Sequence, residues 1–252
     1  MGFLLGVASA GAWVPEVLPA LGAILAACVP GHAVNYVADV RVDALTTRVK
    51  ERDPRFNPIL TGEISKRDAY ALSLLGACLA LALAWATGPA CLLAIAVMIA
   101  GGVVGYSMLY LKSRPLLDLV LPLSTGPPLF AAGFCLGGAP VPAPHVLVLS
   151  IIATGAFLDT VIHDVDFDRK AGLRTTAVWL GERRARGLEL ELMAVGGGLS
   201  ALALTLTGDP FFALMLVACS LRFCIKQMMK RLYVFATLVL GYIGLSLLAA
   251  LL

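Results

Sequence analysis

Three polar residues, Asn35, Asp39 and Asp43, recur every four residues at the end of a long apolar stretch. A helix places residues at this spacing on one face. A second group, Asp164 and Asp168, has the same spacing and also follows a long apolar stretch. Carboxylates near hydrocarbon are costly and repel one another, and a divalent cation would relieve both problems. Because oxygen-only ligands favour Mg²⁺ over zinc, the two groups together predict a magnesium site.

Basic residues adjoin both acidic groups and would supply the other half of a diphosphate site. Guanidinium groups bind phosphate oxygens in bidentate fashion, and lysine binds them as a point charge. Two Mg²⁺ ions bridged by a diphosphate would then lie between the acidic groups. Plainer explanations stay open: the acids are helix-end charges paired with arginines, and the basic residues only mark membrane topology. The basic residues that we predict to contact substrate are Arg48, Arg52, Lys112, Arg114, Arg169 and Lys170.

The composition identifies the kind of protein that must position these residues. Hydrophobic residues make up 60% of the 252-residue chain, and charged residues only 14%. A soluble domain carries about 25% charged residues, so this chain has too little charge to cover a surface in water. The apolar content also excludes disorder, and a formal net charge of +3 is too small to suggest a nucleic-acid partner. The composition therefore predicts a polytopic membrane protein.

Runs without charged residues predict the transmembrane helices. Residues 69–111 and 119–158 contain no Asp, Glu, Lys or Arg, and a Gly/Pro turn interrupts each run, which predicts two spans in each. Residues 1–14 are apolar but too short to cross unaided. The sequence thus predicts an all-α protein with about eight full spans and a short or truncated first helix, forming a single domain over 1–252. The other predicted spans are 17–38, 187–208, 211–230 and 232–252.

The basic residues predict how these helices are oriented. All 19 Lys and Arg fall in four windows, and the turns between the windows carry none. Basic and non-basic turns alternate along the predicted helices, and the positive-inside rule then places every basic window in the cytoplasm. Both acidic groups would share that side of a multi-pass protein, in the plasma membrane if the source is a prokaryote. The windows are 41–67, 112–114, 169–186 and 222–231.

Taken together, these motifs resemble the UbiA superfamily of intramembrane prenyltransferases. The first acidic group is similar to the NxxxDxxxD signature of that family, and the second is similar to its DxxxD signature. The segment 106–112 occupies the place of the family's Tyr/Lys motif, and residues 57–65 resemble the loop that enters its third helix. The resemblance covers nearly the whole chain, and the pair of acidic motifs is its most specific part.

The resemblance implies about nine transmembrane helices around a central cavity, with cytoplasmic cap loops near 41–67 and 164–186. It implies a prenyl diphosphate bound through two Mg²⁺ ions, ionisation of this donor, and transfer of the prenyl group to a lipophilic acceptor. Tyr106 or Tyr110 would face the allylic cation, since an aromatic face stabilises positive charge. Arg48, Arg52 and Lys112 would contact phosphate. The residues carried over as holding Mg²⁺-diphosphate are Asn35, Asp39, Asp43, Asp164 and Asp168, and the predicted catalytic residues are these four aspartates with Tyr106 and Lys112.

The acceptor stays open between a carotenoid or other isoprenoid and a quinone or lipid precursor. Apart from the cytoplasmic window 222–231, the predicted spans contain no Lys or Arg. This disfavours a benzoate, because its buried carboxylate would lack a partner. Besides donor, acceptor and lipid bilayer, no obligatory protein partner is evident. The main alternative function is a secondary transporter with an acidic site at the cytoplasmic face, although transporters place such residues near the bilayer midplane.

Five further polar residues lie close to the acidic groups. His32 would contact the acceptor, and His163 would remove a proton after coupling or serve only as a polar helix end. Asp118 is expected to interact with nearby basic residues. Asp159 and Asp166 fall on one helix face and would form a hydrogen-bonded pair or act as spare metal ligands.

Overall fold

A computed structural model describes residues 2–50 and 57–224, with the backbone alone described at 46–50 and 220–224. This part of the chain is helical and contains no β-strand, which confirms the predicted all-α fold. The helices are α1 Gly2–Ala10, α2 Val17–Lys50, α3 Lys66–Thr87, α4 Pro89–Met98, α5 Val120–Cys135, α6 Ala143–Ile162, α7 Val165–Lys170, α8 Thr176–Leu180, α9 Glu182–Thr207 and α10 Pro210–Cys224.

Six helices within the described residues are long and apolar enough to cross a membrane. Each coincides with a predicted span, and the shorter apolar helix Pro210–Cys219 begins where the span 211–230 was expected. The predicted span 232–252 lies outside the described residues. The chain is therefore an integral, multi-pass membrane protein. The six helices are Val17–Leu45, Lys66–Thr87, Pro89–Met108, Leu117–Cys135, Ala143–Ile162 and Glu182–Thr207.

Helix α2 carries the first acidic group and packs along α3. Helix α3 begins with a capping box, in which Ser65 and Asp68 each accept a hydrogen bond from the other's backbone N–H, at 3.1 and 3.3 Å. A buried seam of alanines joins the two helices, and small side chains of this kind let helix backbones approach closely. The alanines are Ala23, Ala26, Ala27, Ala80 and Ala84.

The short helix α1 packs against α5 through two glycines. A Cβ atom built on Gly6 would lie 2.1 Å from the carbonyl oxygen of Phe130, and one on Gly133 would lie 2.1 Å from the carbonyl oxygen of Phe3. Only glycine fits such a close approach of two backbones, so this pair of residues sets the distance between the helices.

Helix α4 continues into a π-helix, Ile99–Met108, which ends with Leu109 N donating to Val104 O at 2.7 Å. A π-helix is wider than an α-helix and is often found at functional sites. It is followed by a short 3₁₀ turn at Leu111–Ser113. This turn, the α7 segment and the Asp43 end of α2 all meet at the same end of the helix bundle, around one cavity.

Candidate active site

A cavity of about 530 Å³ opens at this end of the bundle, and we call it the acidic cavity. Its walls come from α2, the π-helix, α5, α6 and the segment that follows α6. Deeper in the cavity the lining is apolar and includes Ala27, Met98 and Phe157. The structure therefore brings both predicted acidic groups to the mouth of one apolar cavity. The predicted residues that line it are Asn35, Asp39, Asp43, Tyr106, Lys112, Asp164 and Asp168.

Lys112 lies at the centre of this mouth. Its side chain is buried, with the residue only 4% exposed, and it forms an ion pair with Asp39. The ammonium group also donates to Asn35 Oδ1 at 3.0 Å and lies 5.0 Å from the centre of the Tyr110 ring and 5.8 Å from that of Tyr106. A buried lysine that is held by an acid and two aromatic faces is a fixed positive charge, suited to bind phosphate.

Asn57 holds Asp43 in place, and sequence reasoning did not single it out as a site residue. Its side chain is fully buried and donates to Asp43 Oδ2 at 2.7 Å and to the carbonyl oxygen of Tyr36 at 3.0 Å. Asn57 Oδ1 accepts from Ile59 N at 3.1 Å, which shapes the turn before α3. An Asn-Pro dipeptide that opens a turn was the available signal.

The second acidic group lies where α6 gives way to α7. Helix α6 ends at Ile162, and Asp164 precedes the short helix that carries Asp168. The hydroxyl of Thr175 donates to Asp168 Oδ2 at 3.5 Å. Burial, together with the negative charges of Asp164 and Asp39, raises the pKa of Asp168 from 3.8 to about 6. The contribution of Asp39 shows that the two acidic groups act on each other across the cavity.

The donors at the mouth fit Mg²⁺ by their chemistry, since they are carboxylates and one amide with no sulfur or imidazole. Among the described residues, however, no three His, Cys, Asp or Glu side chains already lie close enough together to hold a metal ion. The first acidic group is occupied instead by protein partners: Lys112 on Asp39 and Asn57 on Asp43. Metal binding would therefore require these side chains to adjust.

A buried pair, Asp118 and Thr176, holds the end of the turn region 110–119, which carries Lys112. Thr176 N donates to Asp118 Oδ2 at 2.7 Å, and the Thr176 hydroxyl donates to Asp118 Oδ1 and accepts from Leu116 N, the latter at 2.7 Å. Asp118 thus bonds to Thr176 and not, as expected, to a basic residue. The turn itself is strained, because Tyr110 and Leu116 have positive φ angles of 55° and 67°.

The remaining predicted contact residues do not line the acidic cavity. Tyr110 and Lys170 line a neighbouring cavity. Arg114 is exposed, and Arg169 pairs at 3.3 Å with the exposed Asp166. Neither cavity is lined by Arg114, Arg169 or Asp166. The side chain of Arg48 and the whole of Arg52 lie outside the described residues.

The polar residues near the end of α6 form contacts of their own. Asp159 lies 3.7 Å from His163 Nε2 and 3.9 Å from Arg186 Nη1, and Asp166 lies 3.3 Å from Arg169 Nη1. The pairing of Asp159 with Asp166 stays a prediction. The helix is interrupted between the two acids, since α6 ends at Ile162 and α7 begins at Val165. His32, by contrast, lines the acidic cavity near its apolar part.

Known proteins match this chain in both sequence and structure. The profile of the UbiA prenyltransferase family matches residues 1–237. A digeranylgeranylglyceryl phosphate synthase of Halobacterium salinarum is 35% identical over 169 residues, which cover 66% of this chain and only 57% of that relative.

Two solved structures share the fold. A UbiA homologue of Archaeoglobus fulgidus, bound to DMAPP and Mg²⁺, has a TM-score of 0.84 at 25% identity, over 99% of this chain and 94% of that one. A solved digeranylgeranylglyceryl phosphate synthase has a TM-score of 0.61 at 17% identity, over 99% of this chain and 91% of that one. Together with the match of the family profile over most of the chain, these findings show that the protein belongs to the UbiA prenyltransferase family.

Proposed function

We propose that the chain is a Mg²⁺-dependent intramembrane prenyltransferase that moves a prenyl group from a prenyl diphosphate to a lipid acceptor. The observation that carries this proposal is the convergence of both acidic groups and the buried Lys112 at the mouth of one apolar cavity. Family membership favours this enzyme over the transporter considered above. It is also supported by the Archaeoglobus fulgidus homologue, which binds DMAPP and Mg²⁺.

The acidic groups are the proposed metal ligands. Asn35, Asp39, Asp43, Asp164 and Asp168 would hold Mg²⁺, which neutralises negative charge on the bound diphosphate as it leaves. Lys112 would exchange part of its contact with Asp39 for a phosphate oxygen and stabilise the same developing charge.

The proposed reaction breaks one carbon–oxygen bond and forms another. The allylic C–O bond breaks with its electron pair passing to the diphosphate, which leaves a carbocation in the cavity. Tyr106 lines the cavity beside Lys112, and its ring would stabilise that cation. A hydroxyl oxygen of the acceptor then bonds to the carbon, and its proton passes to the departing diphosphate. The apolar lining deeper in the cavity would hold the prenyl chain and keep water from the cation.

The acceptor that we propose is a glyceryl phosphate lipid that already carries one prenyl chain. The support comes from the Halobacterium salinarum relative, whose name specifies a glyceryl phosphate with two geranylgeranyl groups. A glyceryl phosphate lipid belongs to the lipid-precursor class, one of the acceptor classes that the sequence left open. We further propose that residues 1–252 act as a single transmembrane domain, with the acidic cavity open to the cytoplasm as the basic windows predict.

The test is mass spectrometry of the products formed by the purified protein in lipid nanodiscs with labelled geranylgeranyl diphosphate. Three acceptors are supplied together: a monoprenyl glyceryl phosphate, a carotenoid and 4-hydroxybenzoate. We expect a Mg²⁺-dependent product from the glyceryl phosphate. Preferential labelling of the benzoate or of the carotenoid would overturn the proposed acceptor, and no labelled product at all would overturn the enzyme class.

A further inference from the structure

A second cavity, of about 810 Å³, lies beside the first, and we call it the basic cavity. It is walled by the end of α2, the turn after the π-helix and the end of α7. Its polar lining consists of two cations and two hydroxyl-bearing residues, and none of its lining residues is acidic. These four residues are Arg41, Tyr110, Ser113 and Lys170.

Both cations of the basic cavity, Arg41 and Lys170, are exposed. The Lys170 ammonium lies 5.8 Å from the centre of the Phe167 ring, and among the described residues neither cation forms an ion pair. Arg41 follows Asp39 by two residues, which places it on the opposite side of α2 from the face that carries the metal ligands. A guanidinium, an ammonium and two hydroxyls are donors suited to a phosphate group.

The two cavities have opposite charge and adjoin each other. Four aspartates and a single lysine line the acidic cavity, so acidic groups outnumber basic ones there, whereas the charged residues that line the basic cavity are both cations and attract an anion directly. Val42 and Leu173 line both cavities, so the wall between them is apolar at this point. An amphiphile with its phosphate in the basic cavity would therefore meet an apolar surface on the side that faces the acidic cavity.

We propose that the basic cavity binds the phosphate group of the lipid acceptor through Arg41 and Lys170, with the adjoining glyceryl carbons beside Val42 and Leu173. This inference rests on the proposed prenyltransferase function. It separates the substrates by charge: the donor diphosphate is held with metal in the acidic cavity, and the acceptor phosphate is held without metal in the basic cavity. Acceptor specificity would then lie in residues outside both aspartate motifs.

The test measures steady-state kinetics of Arg41→Gln and Lys170→Gln with a monoprenyl glyceryl phosphate and with the same lipid lacking its phosphate. Loss of one charged contact should raise the KM for the phosphate lipid about ten-fold in each variant. The KM for the donor and inhibition by free pyrophosphate should stay at the wild-type level. The dephosphorylated lipid should react equally in variants and wild type, and Arg41→Lys should recover most of the loss.

The matched control is Arg174→Gln, which removes an exposed cation that lines neither cavity. An unchanged KM for the phosphate lipid in both cavity variants would overturn the inference. So would a rise in the donor KM or weaker pyrophosphate inhibition, because the cations would then serve the diphosphate. Failure of the wild-type protein to prenylate any acceptor would instead overturn the proposed function, which keeps the two failures distinct.

Discussion

Replacing Thr176 with valine would isolate the buried pair behind the Lys112 turn. Valine keeps the branched shape of threonine but has no hydroxyl. Thr176→Val therefore removes the bond donated to Asp118 Oδ1 and the bond accepted from Leu116 N. The backbone bond from Thr176 N to Asp118 Oδ2 remains, so the substitution removes part of the network without removing the contact.

The loss of folding stability in Thr176→Val should come mainly from Asp118. Asp118 and Thr176 are 1% and 0% exposed, so water cannot replace the lost donor. Leu116, which loses the other bond, is by contrast an exposed residue. A buried polar group that loses a partner costs about 1–3 kcal/mol. Because 1 kcal/mol lowers the unfolding midpoint of a protein of this size by about 2–4 °C, we expect a drop of about 2–12 °C.

Thermal unfolding in detergent measures this drop, and Thr205→Val is the matched control. The Thr205 hydroxyl is exposed and bonds only to Leu202 O in its own helix, at 2.7 Å, so its removal should change the stability by less than about 0.5 kcal/mol. Thr176→Val should also raise the KM for the prenyl diphosphate, because Lys112 sits on the turn that loosens. Equal midpoints for the two variants would refute the claim that this pair holds the turn.

Three further predictions concern the acidic cavity. Asn57→Ala removes the donor to Asp43 and should raise the Mg²⁺ concentration for half-maximal activity about ten-fold or more; an unchanged Mg²⁺ titration would contradict this. Lys112→Gln should lower kcat/KM for the donor about 100-fold in a diphosphate-release assay, and near wild-type values would remove Lys112 from the site. Because the pKa of Asp168 is raised to about 6, its contribution to stability is complete below pH 3.8 and is lost as the pH rises through about 6. We therefore expect the difference in unfolding midpoint between the metal-free protein and Asp168→Asn to shift in favour of the wild type as the pH falls from 7 to 5. A shift in favour of Asp168→Asn would contradict the raised pKa.

Much of the fold could be predicted, because the hydropathy and charge of each segment can be read from its own sequence. The absence of charges over 69–111 and 119–158 is enough to identify four spans, since a charged side chain in hydrocarbon is costly. The acidic groups could also be predicted from the sequence, because a spacing of four residues places side chains on one helix face. That both groups reach one cavity follows once the helices alternate in direction.

The contacts that hold the site could not be predicted in this way. Asp118 and Thr176 are 58 positions apart, and nothing in their local sequence pairs them. Asn57 reaches Asp43 across a turn. Arg41 was passed over because it lies within the first acidic motif yet points away from its face, into a cavity that only packing creates. Such contacts depend on how helices meet, whereas periodicity describes each helix alone.

The most direct test of our account compares diphosphate release by three variants. Asp39→Asn and Asp164→Asn each remove one charge from opposite sides of the acidic cavity, and Asp166→Asn removes an exposed charge two residues from Asp164. With an allylic diphosphate, acceptor and Mg²⁺, we predict that the first two lose activity at least about 100-fold while Asp166→Asn matches the wild type. Equal activity in all three variants would contradict the proposal that the two acidic groups form one Mg²⁺-diphosphate site.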